Sequence, residues 1–230
     1  MGKSKDLASG NSAAYVETAG DTMSGDLIVN NQVRMTHDNS GTDAYINLFL
    51  SNPNTSSGIR MTGSGNVAYE LQSQNDGNFA LYDRTTGAYR IKVDSSGRVT
   101  KPNTPRFFGH SPTGYNTASV LKNFTSLAVN TNSGFNNSTG TFTAPVAGTY
   151  LFMGGILVQT GTGRAEFHIQ KNGSTPLVTG NGTGTVYDGP NAICIADLAV
   201  NDYVKVVKQS GTAYADGAHS NSYFGGYLLG

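Results

Sequence analysis

Apolar residues along this chain recur at every second position or run together for four to seven residues. Turn residues interrupt them at short intervals, and no 3.6-residue period persists anywhere. Between residues 28 and 100 the pattern predicts short strands at 44–50, 59–61, 67–71, 79–82 and 89–93, divided by Asn-, Asp- and Gly-rich turns. Each resulting hairpin is too small to stand alone. About 70 residues of such strands either close into a small sandwich or are completed by neighbouring chains. Pro102 and Pro105 then remove backbone donors, so a sheet cannot continue through residues 101–105. Strands resume at 106–108 and again at 150–159, 165–171, 176–179, 192–198, 203–209 and 223–229. Asn172-Gly173 carries the signal of a two-residue hairpin turn. Ala144-Pro-Val-Ala-Gly148 forms a turn, after which Tyr150 and Phe152 point to one face of a strand. The expected fold class is all-β.

Composition narrows the function classes. The 230 residues carry 15 Lys+Arg against 15 Asp+Glu, so nothing draws the chain to nucleic acid or to an anionic membrane. No hydrophobic run reaches the roughly 18–20 residues of a membrane helix, and no membrane insertion is expected. Met1 to Asp6 leads into polar sequence, so no secretory signal peptide is expected either. Charged residues make up only 13%, leaving the solvated surface to Asn, Ser, Thr and 30 Gly. The single cysteine, Cys194, sits in Ala-Ile-Cys-Ile-Ala, which reads as a buried strand with the thiol as a small core hydrophobe.

One stretch carries a longer pattern. Phe124, Asn130, Phe135, Phe142, Gly148, Tyr150 and Phe152 follow one another as Phe, five residues, Asn, four, Phe, six, Phe, five, Gly-x-Tyr-x-Phe. This spacing resembles the signature of the C1q/TNF-like jelly-roll family. Ser222–Leu229 is similar to that family's closing strand and Val200–Val206 to its penultimate one. Where the family usually has a further aromatic, this chain has Gly154. Upstream, Gly20-Asp-Thr-Met-Ser-Gly-Asp-Leu27 resembles a G-x-T-M-x-G-x-L segment of tailed-phage fibre proteins, and residues 75–99 are similar to fibre shafts. Together the resemblances imply a phage tail fibre or receptor-binding protein. Its parts would be a virion-attachment arm over 1–26, a β-rich shaft over 27–100, a linker at 101–105 and a C1q-like jelly-roll head over 106–230. The implied partners are two further copies in a homotrimer, a virion tail or baseplate protein at the arm, and a bacterial surface glycan or protein receptor. The implied location is the virion, exposed to the extracellular medium.

The resemblance also places both ends of the head at one base. Alternating strand direction then puts the loops at 160–163, 180–190 and 210–221 at the far tip, and the Asn172-Gly173 and Asn201-Asp202 turns at the base. The tip loops carry Tyr187, Asp188, Tyr214, Asp216 and His219, a mixture suited to stacking on sugars and hydrogen-bonding them. No catalytic residue and no cofactor is expected. His37, His110, His168 and His219 have no second ligand at metal spacing, and His168 reads as a solvated strand residue. The Gly-rich runs at 161–163 and 180–184 lack the helix that would hold a phosphate. Three other readings stay open: a decoration or collar fibre with no ligand, a fibre-tip depolymerase acting through carboxylates such as Asp216, and a secreted cellular C1q-like protein.

Overall fold

A computed structural model describes residues 57–62, 68–115, 119–132, 134–160 and 163–230. The arm at 1–26, the Gly20–Leu27 segment, the strand expected at 44–50 and His37 lie outside them. The described residues form strands and turns and no helix, in agreement with the all-β expectation.

The first five strands make an antiparallel meander in simple order: β1 (Ser57–Thr62), β2 (Ala68–Ser73), β3 (Phe79–Asp83), β4 (Ala88–Val93) and β5 (Val99–Thr100). Register aligns Ile59, Leu71, Leu81 and Ile91 across four strands, so all four share one face. The opposite face mixes the buried Ala80 and the Tyr82–Tyr89 ring pair with Glu70, Gln72 and Lys92. There Glu70 accepts from Arg60 Nε at 2.7 Å, from Gln72 Nε2 at 2.7 Å and from Arg84. On the Leu81 side, opposite Tyr69, Asp83 caps the β3–β4 turn through the Thr85 and Thr86 amides and pairs with Arg90.

Beyond Pro105 the chain builds β6 (Arg106–Tyr115), β7 (Leu121–Thr131), β8 (Phe135–Asn136), β9 (Thr141–Thr143) and β10 (Gly148–Gly155). It continues through β11 (Val158–Thr160), β12 (Ala165–Lys171), β13 (Thr175–Gly182) and β14 (Asn191–Leu198). It ends with β15 (Tyr203–Ser210), β16 (Thr212–Ala213) and β17 (Tyr223–Leu228). Two five-stranded sheets, ordered β14-β10-β17-β6-β7 and β13-β12-β15-β9-β8, enclose the core as a jelly roll.

The seven signature residues now have physical reasons. Phe124, Phe135, Phe142, Tyr150 and Phe152 are all buried. Phe107 lies at their centre, stacked on Phe135 at 4.5 Å and on Phe142 at 4.9 Å, with Phe224 edge-on at 4.8 Å. Asn130 Nδ2 donates to the Phe135 carbonyl at 2.9 Å, which sets the spacing between those two positions. Gly148 is required by close approach, because a Cβ there would meet the Gly230 carbonyl oxygen at 2.7 Å. At Gly154 the space of the absent aromatic is taken by Val206 and Ile169, whose side chains would lie 2.9 and 3.6 Å from a Cβ.

Three expectations need correction. The strand expected at 150–159 breaks at Ile156 and Leu157, and its second part leaves the main sheet to pair with β16. Lys171 pairs with Thr175, so the Asn172-Gly173 turn holds three residues rather than two. The Ala-Ile-Cys-Ile-Ala strand is buried on one face only. Ala192 and Cys194 face the core while Ile193 and Ile195 point outward, 65% and 63% exposed. An apolar run looks the same whether its second face meets the core of its own chain or another surface. Burial pushes the Cys194 thiol up to about 11, in keeping with a packing role.

The base of the jelly roll is tied by Asp202. It accepts from Asn172 Nδ2 at 2.7 Å, pairs with Lys171 at 2.7 Å and takes the Ala199 amide at 2.8 Å. These donors, the Asn172 amide first, hold its carboxyl at about 2 against an ordinary 3.8. A depressed native value means stability that is complete above the ordinary value and is lost as pH falls through the native one. Thermal midpoints should therefore fall more steeply for the wild type than for Asp202→Asn between about pH 4 and pH 2. Parallel slopes in that window would remove Asp202 from the acid response.

Candidate functional site

Both ends of the head lie at this base, where the Leu228 amide donates to the Pro105 carbonyl at 3.0 Å and the Thr149 amide to Gly230 at 2.7 Å. The opposite end is built around the break in the strand after β10. Val158 is the hub: its amide donates to the Asp188 carbonyl at 2.8 Å and its carbonyl accepts the Tyr187 amide at 2.9 Å. One residue earlier, the Leu157 carbonyl accepts the Tyr214 amide at 2.8 Å. Two loops distant in sequence are thereby strapped to neighbouring positions of one short strand. Their tyrosines stack as a consequence, with Tyr187 and Tyr214 rings 5.9 Å apart and 12° from parallel. His219 extends the stack, 4.0 Å from Tyr214.

Buried Ser222 locks the arrangement from beneath. Its Oγ accepts the Leu157 amide at 3.0 Å and donates to the Tyr214 carbonyl at 3.2 Å, while its own carbonyl takes the Ser111 amide at 3.0 Å. Gly217 tethers the far part of the same loop, donating to Pro112 at 2.9 Å and accepting from Thr125 Oγ1 at 3.1 Å. Gly184, at φ +72°, lies so close to Arg164 that a Cβ would meet its backbone nitrogen at 2.5 Å. The Gly163–Arg164 corner and the 183–188 loop therefore pack together, while Gly161 and Thr162 lie outside the described residues.

The five residues singled out in the sequence gather at this tip with unequal roles. Tyr187 is 67% exposed and held at φ 66°, a conformation bulky side chains rarely adopt. Tyr214 and His219 are half-buried beside it. Asp216 Oδ1 lies 3.0 Å from His219 Nδ1 and also accepts the Ala218 amide. These two contacts, His219 first, lower its carboxyl, and the first also holds the imidazole. The phenol of Tyr214 is raised, first by hydrogen bonding with Tyr187 and then by desolvation. Asp188 contributes mainly through its backbone, its carboxylate turning away to accept from Thr183 Oγ1 at 3.1 Å. Sequence reading missed Ser222 and Val158, because neither carries a chemical signature and both matter only through loops that folding brings together. Among the described residues no three His, Cys, Asp or Glu side chains gather to hold a metal. His168 is half-buried and paired with Glu166 at 3.0 Å rather than free in solvent.

A second surface was not anticipated. Register across β14-β10-β17-β6-β7 aligns Ile195, Leu151, Tyr227 and Arg106 in one outward row, and Ile193, Met153, Gly225, Phe108 and Val129 in the next. The outward row of the other sheet is polar, carrying Glu166, His168, Gln170, Thr179 and Lys205. One sheet thus faces water and the other presents an apolar surface.

Comparison with known proteins places the head. No curated protein matches the chain. Among solved structures it is similar to the globular domain of zebrafish complement 1qA protein, at 18% identity over 55% of this chain and 98% of that one, TM-score 0.40. It is similar to murine APRIL at pH 5.0, at 12% identity over 55% and 99%, TM-score 0.47. It is also similar to Eiger TNF from S. frugiperda, at 13% identity over 56% and 94%, TM-score 0.46. C1q/TNF-like domains often mediate binding and trimerisation. The family model of the C1q domain matches residues 109–229, more than half of the sequence, and the chain therefore belongs to the C1q domain family.

Proposed function

We propose that this chain is a trimeric receptor-binding fibre of a tailed phage, attaching through the tip of its head to a glycan on a bacterial surface. The observation that carries the binding reading is the Tyr187–Tyr214–His219 stack, braced by Asp216 at the end opposite both chain ends of the head. Stacked rings offer the apolar face of a sugar a flat platform, and the adjoining carboxylate and imidazole offer hydrogen bonds to its hydroxyls. Holding Tyr187 at positive φ keeps the platform preorganised at a backbone cost that the rest of the loop sustains.

The trimer reading is supported by the apolar outer face of β14-β10-β17-β6-β7 and by the homotrimers found among C1q/TNF homologues. Three tips per particle would raise the avidity of a weak sugar contact by about 10²–10⁴. The fibre reading draws on the Gly20–Leu27 and 75–99 resemblances, and the virion-bound arm would be residues 1–26.

Fluorescently labelled full-length protein should bind host cells, and Tyr187→Ala with Tyr214→Ala should weaken that binding by at least about tenfold while leaving the mass unchanged. Undiminished binding by the double variant would move the receptor contact away from this tip. No binding by the wild type would favour a decoration fibre.

A further inference from the structure

The charge around the tyrosine platform is one-sided. Asp216 is exposed beside the rings, and its Oδ1 is taken by the Ala218 amide at 3.1 Å and by His219 Nδ1 at 3.0 Å. Its Oδ2 accepts from no described residue and stays open as an acceptor. Asp188, next to Tyr187 in the chain, accepts from Thr183 Oγ1. Neither carboxylate pairs with a lysine or arginine among the described residues. The basic side chains that flank the tip loops are engaged elsewhere. Arg164 pairs with Glu166, while Lys208 Nζ donates to the Gly211 carbonyl at 3.1 Å and lies over the Tyr115 ring.

The rings sit in the resulting field. The Tyr214 phenol is raised by hydrogen bonding with Tyr187, by desolvation, and by the charges of Tyr187 and Asp216. The contacts to His219 and Ala218 lower the Asp216 carboxyl, so its charge is in place at neutral pH. A ligand lying on Tyr187 and Tyr214 therefore meets two demands. Its edge must donate to Asp216 Oδ2, because an ionised carboxylate only accepts. It must also bring no negative charge, because like charges in contact repel most strongly where water is partly excluded. A pyranose without acidic groups satisfies both, with its apolar face on the rings and its hydroxyls at the edge. A uronic acid or a phosphorylated sugar satisfies only the first.

We infer that the tip selects glycans free of acidic groups, and that Asp216 sets this preference by accepting a sugar hydroxyl at Oδ2 while repelling carboxylate and phosphate. The inference rests on the glycan-platform reading above and adds the class of sugar to it. Selection of this kind comes from what a site repels as much as from what it attracts.

The test applies full-length protein to immobilised bacterial oligosaccharides, in which chains of uncharged hexoses stand beside chains of the same linkages bearing uronic acid or phosphate. Wild-type protein should bind the uncharged chains at least about tenfold more tightly than their acidic counterparts. Asp216→Asn keeps the shape, removes the charge and turns the open acceptor into a donor, so the preference should disappear. Asp94→Asn removes the same charge from the distant β4–β5 turn and should leave the preference unchanged. Equal or tighter binding to the acidic chains, lost in Tyr187→Ala, would overturn the inference and leave the platform standing. A preference that survives Asp216→Asn would overturn the role of this residue. Binding to no chain of either kind would overturn the platform reading and the inference with it.

Discussion

Replacing Ile195 by glutamate is expected to reduce the particle from three chains to one. In a single chain this side chain lies open to water on the edge strand β14, beside Leu151, so the substitution costs the isolated head little. Its core-side neighbour Cys194 keeps its packing. In the proposed trimer the same position is desolvated. Each buried isoleucine contributes about 1.5–3 kcal/mol, and each unpaired carboxylate taken from water costs several kcal/mol. Threefold symmetry repeats both terms three times. Wild-type protein should scatter light as about three times the 24.1 kDa chain, and the variant as one chain with unchanged far-ultraviolet dichroism. A variant that stays at the wild-type mass would show that this sheet face is not the contact.

The second large effect is expected inside the jelly roll. Phe107→Ala should destabilise the head by about 3–5 kcal/mol, the range for emptying a buried aromatic site. Phe107 is the one ring that touches Phe135 and Phe142 of one sheet as well as Phe224 of its own. Its loss opens a gap between the sheets that rigid strands cannot close. Denaturant titration gives the measurement, with the midpoint falling and the slope unchanged. A loss below about 1 kcal/mol would mean that the neighbouring rings refill the site and that the core is less tightly specified than the ring geometry implies.

Much of the jelly roll is legible in the sequence. The run from Phe124 to Phe152 is legible because each of its residues answers to a local constraint: a ring facing the core, an asparagine bracketing Phe135, a glycine under the chain end. The strands at 165–171 and 203–209 were legible because their apolar alternation matches the pleat. By contrast, β7 has no strand periodicity, although Phe124 and Asn130 of the signature lie on it. It alternates Asn, Thr and Ser with scattered apolar residues, and is a strand because β6 pairs along it.

The tip divides in the same way. Aromatic and acidic residues in two long loops were visible in the sequence, and the family resemblance with strand alternation implied their placement at one end. Their stacking was not, because it depends on β11 leaving the main sheet and bonding to both loops, with Ser222 beneath.

What the sequence by itself determined is the all-β class, through side-chain periodicity, and, through its resemblance to the C1q/TNF-like signature, the jelly roll and the signature aromatics of its core. What only the tertiary structure decided is which apolar faces remain uncovered and which distant loops touch. Ile195 and Phe152 are equally apolar in the sequence. One points outward and the other inward because of the sheet that forms on each side, and that pairing joins residues the chain itself keeps far apart.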